Sequence, residues 1–255
     1  MSKFSIIYIL FMEDNMLRFY LLVIFSLHLV IYYAVKMGNW SKDESHTPEE
    51  KYALAKEVVG AVNKRGRIEV DGFGLENLPD EGGYVMYPNH QGRYDALGII
   101  TTHEKECRVV IDASRVNNPL LGNFLKLLRC KELEKDNPRQ GVKLFKEVGE
   151  EITNGEKYII FPEGQHSKNR NNLQEFHTGC MSFLFKTKCP IVPVVLYDTY
   201  KPFEINSYKK VKCEVHYLEP IYPEEYGDLS KQEIADLVKE RIEVKLEELK
   251  LSHNE

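Results

Sequence analysis

Six short apolar runs, each bounded by turn-forming or polar residues, recur between residues 67 and 217 and alternate with stretches of helical periodicity. The runs are 67–70, 84–87 (YVMY), 108–111, 158–161 (YIIF), 191–196 (IVPVVL) and 211–217. Several lack any apolar/polar alternation, so a strand made from them must be buried on both faces. Strands of that kind, separated by helices, predict an α/β fold: a largely parallel central sheet flanked by helices. The predicted helices open at a Thr47-x-x-Glu50 capping box with Pro48 at its first position and end at Gly66, then cover 95–102, 120–128, 142–152 and 181–185. A long C-terminal helix follows a second capping box, Ser230-x-x-Glu233. Its stripe of Ile234, Leu237, Val238, Ile242, Leu246 and Leu249 is that of an amphipathic helix.

The N-terminus has a different character. Residues 19–35 (FYLLVIFSLHLVIYYAV) contain His28 as their only titratable side chain apart from tyrosines. A bilayer span needs about 17 to 25 apolar residues, and this run reaches the low end of that range. Arg18 and Lys36 bracket it, and Tyr32 and Tyr33 stand where interfacial aromatics lie. A shorter apolar patch occupies 6–12. The run is expected to anchor the chain to a membrane, as a transmembrane helix or as a monotopic helix half-buried in one leaflet; a buried helix of a soluble protein is the alternative. The resulting division is a membrane segment at 1–37, a polar linker at 38–46 and a catalytic domain at 47–255, expected to face the cytoplasm.

A formal net charge of −5, with no basic stripe, carries no nucleic-acid footprint. The five cysteines are odd in number and form no C-x-x-C pair, which fits unpaired thiols rather than a disulfide framework or zinc site.

Two constellations carry chemistry. His90-Gln91-Gly92-Arg93-Tyr94-Asp95 follows a buried strand, and the carboxyl ends of strands are where open α/β sheets bind ligands. A carboxylate on one imidazole nitrogen fixes the tautomer and leaves the other nitrogen as a general base. The same spacing also suits a histidine that merely caps a helix. Phe161-Pro162-Glu163-Gly164-Gln165-His166-Ser167 follows another buried strand. Glu163 can orient a group or bind a hydroxyl, and His166, Lys168 and Arg170 place donors and positive charge beside it, suited to a phosphate. A solvated turn is the plainer reading, and a metal centre built on His90, Asp95 and Glu163 is another chemistry the spacing allows.

Together, NH-x4-D and FPEG resemble the glycerolipid acyltransferase family, in particular its lysophosphatidate acyltransferases. The similarity extends over residues 68–193 and on through 217, and includes 72–79 (GFGLENLP), Gly122 within PLLGNFLKLL, Phe176-x-x-Gly179 and Ile191-Val192-Pro193-Val194. The resemblance implies direct transfer of a fatty acyl group from an acyl thioester, acyl-CoA or acyl-ACP, to the free hydroxyl of 1-acyl-sn-glycerol-3-phosphate in a membrane, giving phosphatidic acid. It implies His90 as general base oriented by Asp95, an acceptor-binding set of Lys135, Glu163, Gly164, His166, Lys168 and Arg170, and support of donor or acceptor by Gly122 and Pro193. No metal or further cofactor is implied. Absence of a G-x-S-x-G elbow agrees with transfer that passes through no acyl-enzyme.

Two departures bear on the acceptor. Where the family reads EGTRS this chain reads EGQHS, so His166 stands in place of an arginine. Lys135 stands where the second block has another arginine, and a lysine meets phosphate as a point charge without the bidentate fork. A different lysophospholipid or a lipid amine is therefore the alternative acceptor.

Overall fold

The computed structural model describes residues 17–118, 121–165, 169–205, 207 and 209–253. His166, Lys168 and the patch at 6–12 lie outside the described residues.

Seven strands form one sheet: β1 (Ile68–Phe73), β2 (Tyr84–Pro88), β3 (Arg108–Asp112), β4 (Lys131–Leu133), β5 (Lys157–Ile159), β6 (Ile191–Tyr197) and β7 (Val211–Tyr217), in the order β1-β7-β6-β2-β5-β3-β4. Every neighbouring pair is parallel except β6 and β7. The helices are α1 (Leu17–Phe25), α2 (Leu27–Trp40), α3 (Pro48–Gly66), α4 (Asp95–Thr102), α5 (Gly122–Leu127), α6 (Pro138–Thr153), α7 (Leu184–Thr187), α8 (Lys201–Glu204), α9 (Pro223–Tyr226) and α10 (Lys231–Ser252).

The two-residue period of the strands divides the core into two layers. Val85 and Tyr87 of β2 and Val195 and Tyr197 of β6 join Leu144, Phe145 and Val148 of α6 and the stripe of α10. Tyr84 and Met86, with Val192, Val194 and Leu196, join α3, α4 and α5 on the other face. The all-apolar runs read as doubly buried strands are therefore so: all five residues of β2 and all seven of β6 are buried. Both capping boxes form, with Thr47 and Ser230 each accepting from the backbone three residues on.

The structure refines the expectations at three places. α3 ends at Gly66 as expected, but the left-handed cap that follows is Arg67 rather than a glycine; a Cβ on Gly66 would lie 2.7 Å from the tip of the Ile68 side chain, which would have to shift. β4 is a strand the pattern did not indicate, since three residues of Lys-Glu-Leu have too little apolar character to signal one. The predicted helix at 181–185 is a 3₁₀ turn at Thr178–Met181 followed by α7.

The apolar N-terminal run is divided at Ser26, so it forms two helices, and no helix among the described residues is long and apolar enough to cross a membrane. The pair is fastened to the domain. The buried Arg18 guanidinium donates to the carbonyls of Ser207 at 2.6 Å, Lys209 at 2.9 Å and Gly66. Leu22 enters a cluster with Ile68, Tyr94, Phe203, Val211 and Cys213, and Lys36 pairs with Glu57 of α3 at 2.8 Å. Ile24, Phe25, Leu27, Ile31, Tyr32 and Val35 remain exposed. The polar stretch at 38–46 begins inside α2 and folds back compactly, Trp40 stacking on His46 at 3.7 Å.

Candidate active site

Strands β2 to β6 run in one direction, so their carboxyl ends share one edge of the sheet, the edge at which such sheets bind ligands. Asn89 pins β2 to β6 at that edge: its amide donates to the Leu196 carbonyl at 3.0 Å and its oxygen accepts from the Leu196 N–H at 2.7 Å. The next residue is His90. A tight turn then brings Asp95, the first residue of α4, back against it, with His90 Nδ1 2.7 Å from Asp95 Oδ2. The Asp95 side chain is 1% exposed and that of His90 18%, so a buried carboxylate carries a partly accessible imidazole. A carboxylate only accepts, so in the neutral ring Nδ1 holds the hydrogen and Nε2 the lone pair.

Asp95 is fixed independently of His90. Its Oδ2 also accepts from the backbone N–H of Gln91 at 2.5 Å and of Gly92 at 2.9 Å, and its Oδ1 accepts from the Thr199 hydroxyl at 2.6 Å. Gln91 is buried with its side chain spanning to β6 and beyond: Nε2 donates to Leu196 O and Asn171 Oδ1, both at 2.7 Å, and Oε1 accepts from Thr199 N at 2.9 Å. Asn171 in turn accepts from Asp198 N and donates to Asp198 Oδ1. Sequence reading missed Thr199, Gln91 and Asn171; the available hint was a polar triplet, Asp198-Thr199-Tyr200, at the carboxyl end of a buried strand.

Glu163 reaches the same spot from the end of β5. One oxygen accepts from the His90 backbone N–H at 3.0 Å and the other from Gln174 Nε2 at 2.6 Å. Burial pushes its carboxyl up to about 7, against the lowering influence of those two donors and of His90. Phe161 packs on the His90 ring at 4.2 Å. Gly164 has φ +69°, a left-handed conformation that favours glycine, and a Cβ there would press on His177 at 3.0 Å.

The remaining candidates are spread more widely. Lys135, just past β4, pairs with Asp112 at 3.1 Å; β4 lies three strands from β2, roughly 14 Å across the edge at the usual strand spacing. The Ser114 hydroxyl and amide, helped by Lys135, hold the Asp112 carboxyl down at about 2. Arg170 is exposed with its guanidinium 5.8 Å from the Tyr200 ring centre. Gly122 opens α5, where a Cβ would lie 2.6 Å from the Val116 carbonyl oxygen, so its value there is close packing. Pro193 is buried within β6 opposite Tyr87, in the sheet rather than at its edge. Among the described residues, no three His, Cys, Asp or Glu side chains converge as a metal site requires. All five cysteines are unpaired thiols.

Residues 68–197 match the family model described as Acyltransferase. A 1-acyl-sn-glycerol-3-phosphate acyltransferase of Cocos nucifera is 28% identical over 55% of this chain and 46% of its own length. One of Bacillus subtilis (strain 168) is 24% identical over 74% of this chain and 90% of its own. The chain thus spans less than half the length of the Cocos nucifera protein. In three dimensions it is similar to the 1-acyl-sn-glycerophosphate acyltransferase PlsC of Thermotoga maritima, with a TM-score of 0.70, 22% identity, and coverage of 92% of this chain and 95% of that one. At that identity the likeness concerns the fold.

Proposed function

The chain belongs to the acyltransferase family, its model matching residues 68–197, and from that premise we propose that it transfers a fatty acyl group from an acyl thioester to the free hydroxyl of 1-acyl-sn-glycerol-3-phosphate, forming phosphatidic acid in phospholipid biosynthesis. The observation that carries this reading is the 2.7 Å contact between His90 and Asp95 at the carboxyl edge of the sheet. His90 Nε2 takes the acceptor's hydroxyl proton as the oxygen attacks the thioester carbonyl. Asp95 holds the ring and balances the imidazolium charge. The C–S bond then breaks, and the departing thiolate takes that proton from the His90 imidazolium, so no covalent enzyme intermediate forms. Glu163 braces the His90 backbone, and Lys135 and Arg170 supply positive charge for the acceptor phosphate, with His166 and Lys168 assigned to the same task by sequence. Acyl-CoA and acyl-ACP are both candidate donors.

A second reading keeps the chemistry and changes the acceptor to another lysophospholipid or a lipid amine. The ion pair between Lys135 and Asp112 favours it, because that lysine's charge is already partnered. We further propose that the exposed apolar residues of α1 and α2 rest in one membrane leaflet, on the cytoplasmic side, bringing the site to its lipid substrate.

The test is purified protein in vesicles with labelled acyl-CoA and acyl-ACP and a panel of acceptors. Phosphatidic acid should form, and His90→Ala should lower turnover by at least about 100-fold, the usual scale for loss of a general base. Near-normal turnover of the variant would overturn the role of His90, and a strong preference for an acceptor without a phosphate would reject lysophosphatidate.

A further inference from the structure

Asp95 has two carboxylate oxygens, and the site uses them differently. Oδ2 receives the imidazole and two backbone amides, all from its own six-residue turn. Oδ1 points away from that turn and is met by Thr199, 104 residues further along the chain, whose hydroxyl lies 2.6 Å away. Thr199 is fully buried, and its position is over-determined: it follows β6, and its N–H donates to Gln91 Oε1 at 2.9 Å while Gln91 is itself tied to Leu196 and Asn171. The same hydroxyl is 3.1 Å from Gln91 Oε1. A hydroxyl has one hydrogen to give, and the shorter bond to an ionised acceptor is the stronger. The carboxylate therefore receives it.

We propose that Thr199 is a positioning residue for the reaction, its hydroxyl holding Asp95 in the orientation that presents His90 and sharing the carboxylate's negative charge. The proposal rests on the general-base reading of His90. Two consequences separate it from mere packing. Without the hydroxyl the carboxylate is held through Oδ2 alone and can pivot about that oxygen, so the chemical step slows while the substrates bind as before. The carboxylate charge is also less dispersed, so it holds the imidazolium more tightly. His90 then stays protonated to higher pH, and the acid limb of the activity profile moves upward. Among the described residues, the titratable groups near the pair include Glu163 from the end of β5, Cys213 from β7, Asp198 beside Thr199 and Glu204 of α8 beside Gly92. None of them is altered in the variants below, so a shift between variants reports the carboxylate.

The experiment compares Thr199→Val, which keeps the shape and removes the hydroxyl, with Thr199→Ser, which restores it, using the full chain in vesicles and the acyl thioester and lysophosphatidate. Thr199→Val should lower kcat by about 10-fold to 100-fold, the range expected for loss of one hydrogen bond to a charged group, with KM for both substrates within about twofold. Its acid limb in kcat/KM should lie at higher pH, and Thr199→Ser should recover most of both. Equal impairment of the two variants, or an unshifted acid limb in Thr199→Val, overturns the proposal. Should Thr199→Val fail to fold, Thr199→Ser still decides: wild-type kcat and profile in a folded serine variant support the hydroxyl, and a serine variant as impaired as His90→Ala opposes it. His90→Ala assayed alongside distinguishes the two levels. If it stays active, the general-base reading fails; if it is inactive while Thr199→Val is normal, only the role of Thr199 fails.

Discussion

Burial makes the charge on Glu163 unfavourable, and this gives a residue-level prediction. A carboxyl that titrates near 7 when folded and near 4.5 when unfolded binds a proton more tightly in the folded chain. Below about 4.5 it is protonated in both states. Above about 7 it is ionised in both, and the folded state carries the cost of a buried charge. This group's contribution to stability is therefore fully present at acid pH and lost as pH rises through the window from 4.5 to 7, by about 3 kcal/mol at most. Urea unfolding across that window should show a shallower decline for Glu163→Gln than for the wild type; identical slopes would mean that Glu163 does not titrate there. His90, Asp95 and Glu163 were readable as candidates because each motif is continuous and follows a buried strand. Thr199 and Asn171 were not, because what makes them matter is a partner about 80 to 105 positions away.

At the scale of elements, Arg18 changes its meaning between sequence and structure. Beside an apolar run it reads as a flanking charge at a membrane surface. In the fold it is buried and joins α1 to the end of α3 and to the segment before β7 through three carbonyls. Arg18→Met keeps the chain's length and apolar stem but strands those carbonyls, at about 1 to 3 kcal/mol for each that water cannot reach. A lower urea midpoint and faster amide exchange through α1 are expected, and an unchanged midpoint would show that the tether contributes nothing. Periodicity cannot reveal such a role, since it reports which face is apolar and not what that face meets. β4 escaped for a related reason: an edge of β3 with open backbone groups, rather than its own residues, makes Lys131–Leu133 a strand.

For the whole molecule the question is how the edge that carries His90 would meet the lipid acceptor proposed for it. α1 packs through Leu22 in a cluster with Tyr94, the neighbour of Asp95 in the chain, and Phe203, while its exposed residues and those of α2 face outward. Phe25 and Ile31 are 68% and 56% exposed, so changing them costs the folded state little. Burial of such side chains in lipid is worth about 1.5 to 3 kcal/mol each. Phe25→Ser with Ile31→Ser should lower binding to vesicles by about 100-fold or more while leaving the unfolding midpoint and activity on a dispersed short-chain acceptor unchanged. Vesicle binding equal to wild type would refute the leaflet-resting role of the two helices.

The sequence alone determined the α/β layering, the N-caps of α3 and α10, and the two motifs proposed to carry the chemistry. Each of these is written in local periodicity or in residues a few positions apart, where backbone geometry leaves few choices. The tertiary structure decided what those residues touch. It broke the apolar run at Ser26 and packed one side of it on the domain, buried Arg18, and set Thr199 against the second oxygen of Asp95. These are contacts between distant segments, fixed by how two faces of one sheet are covered, and no local pattern encodes them.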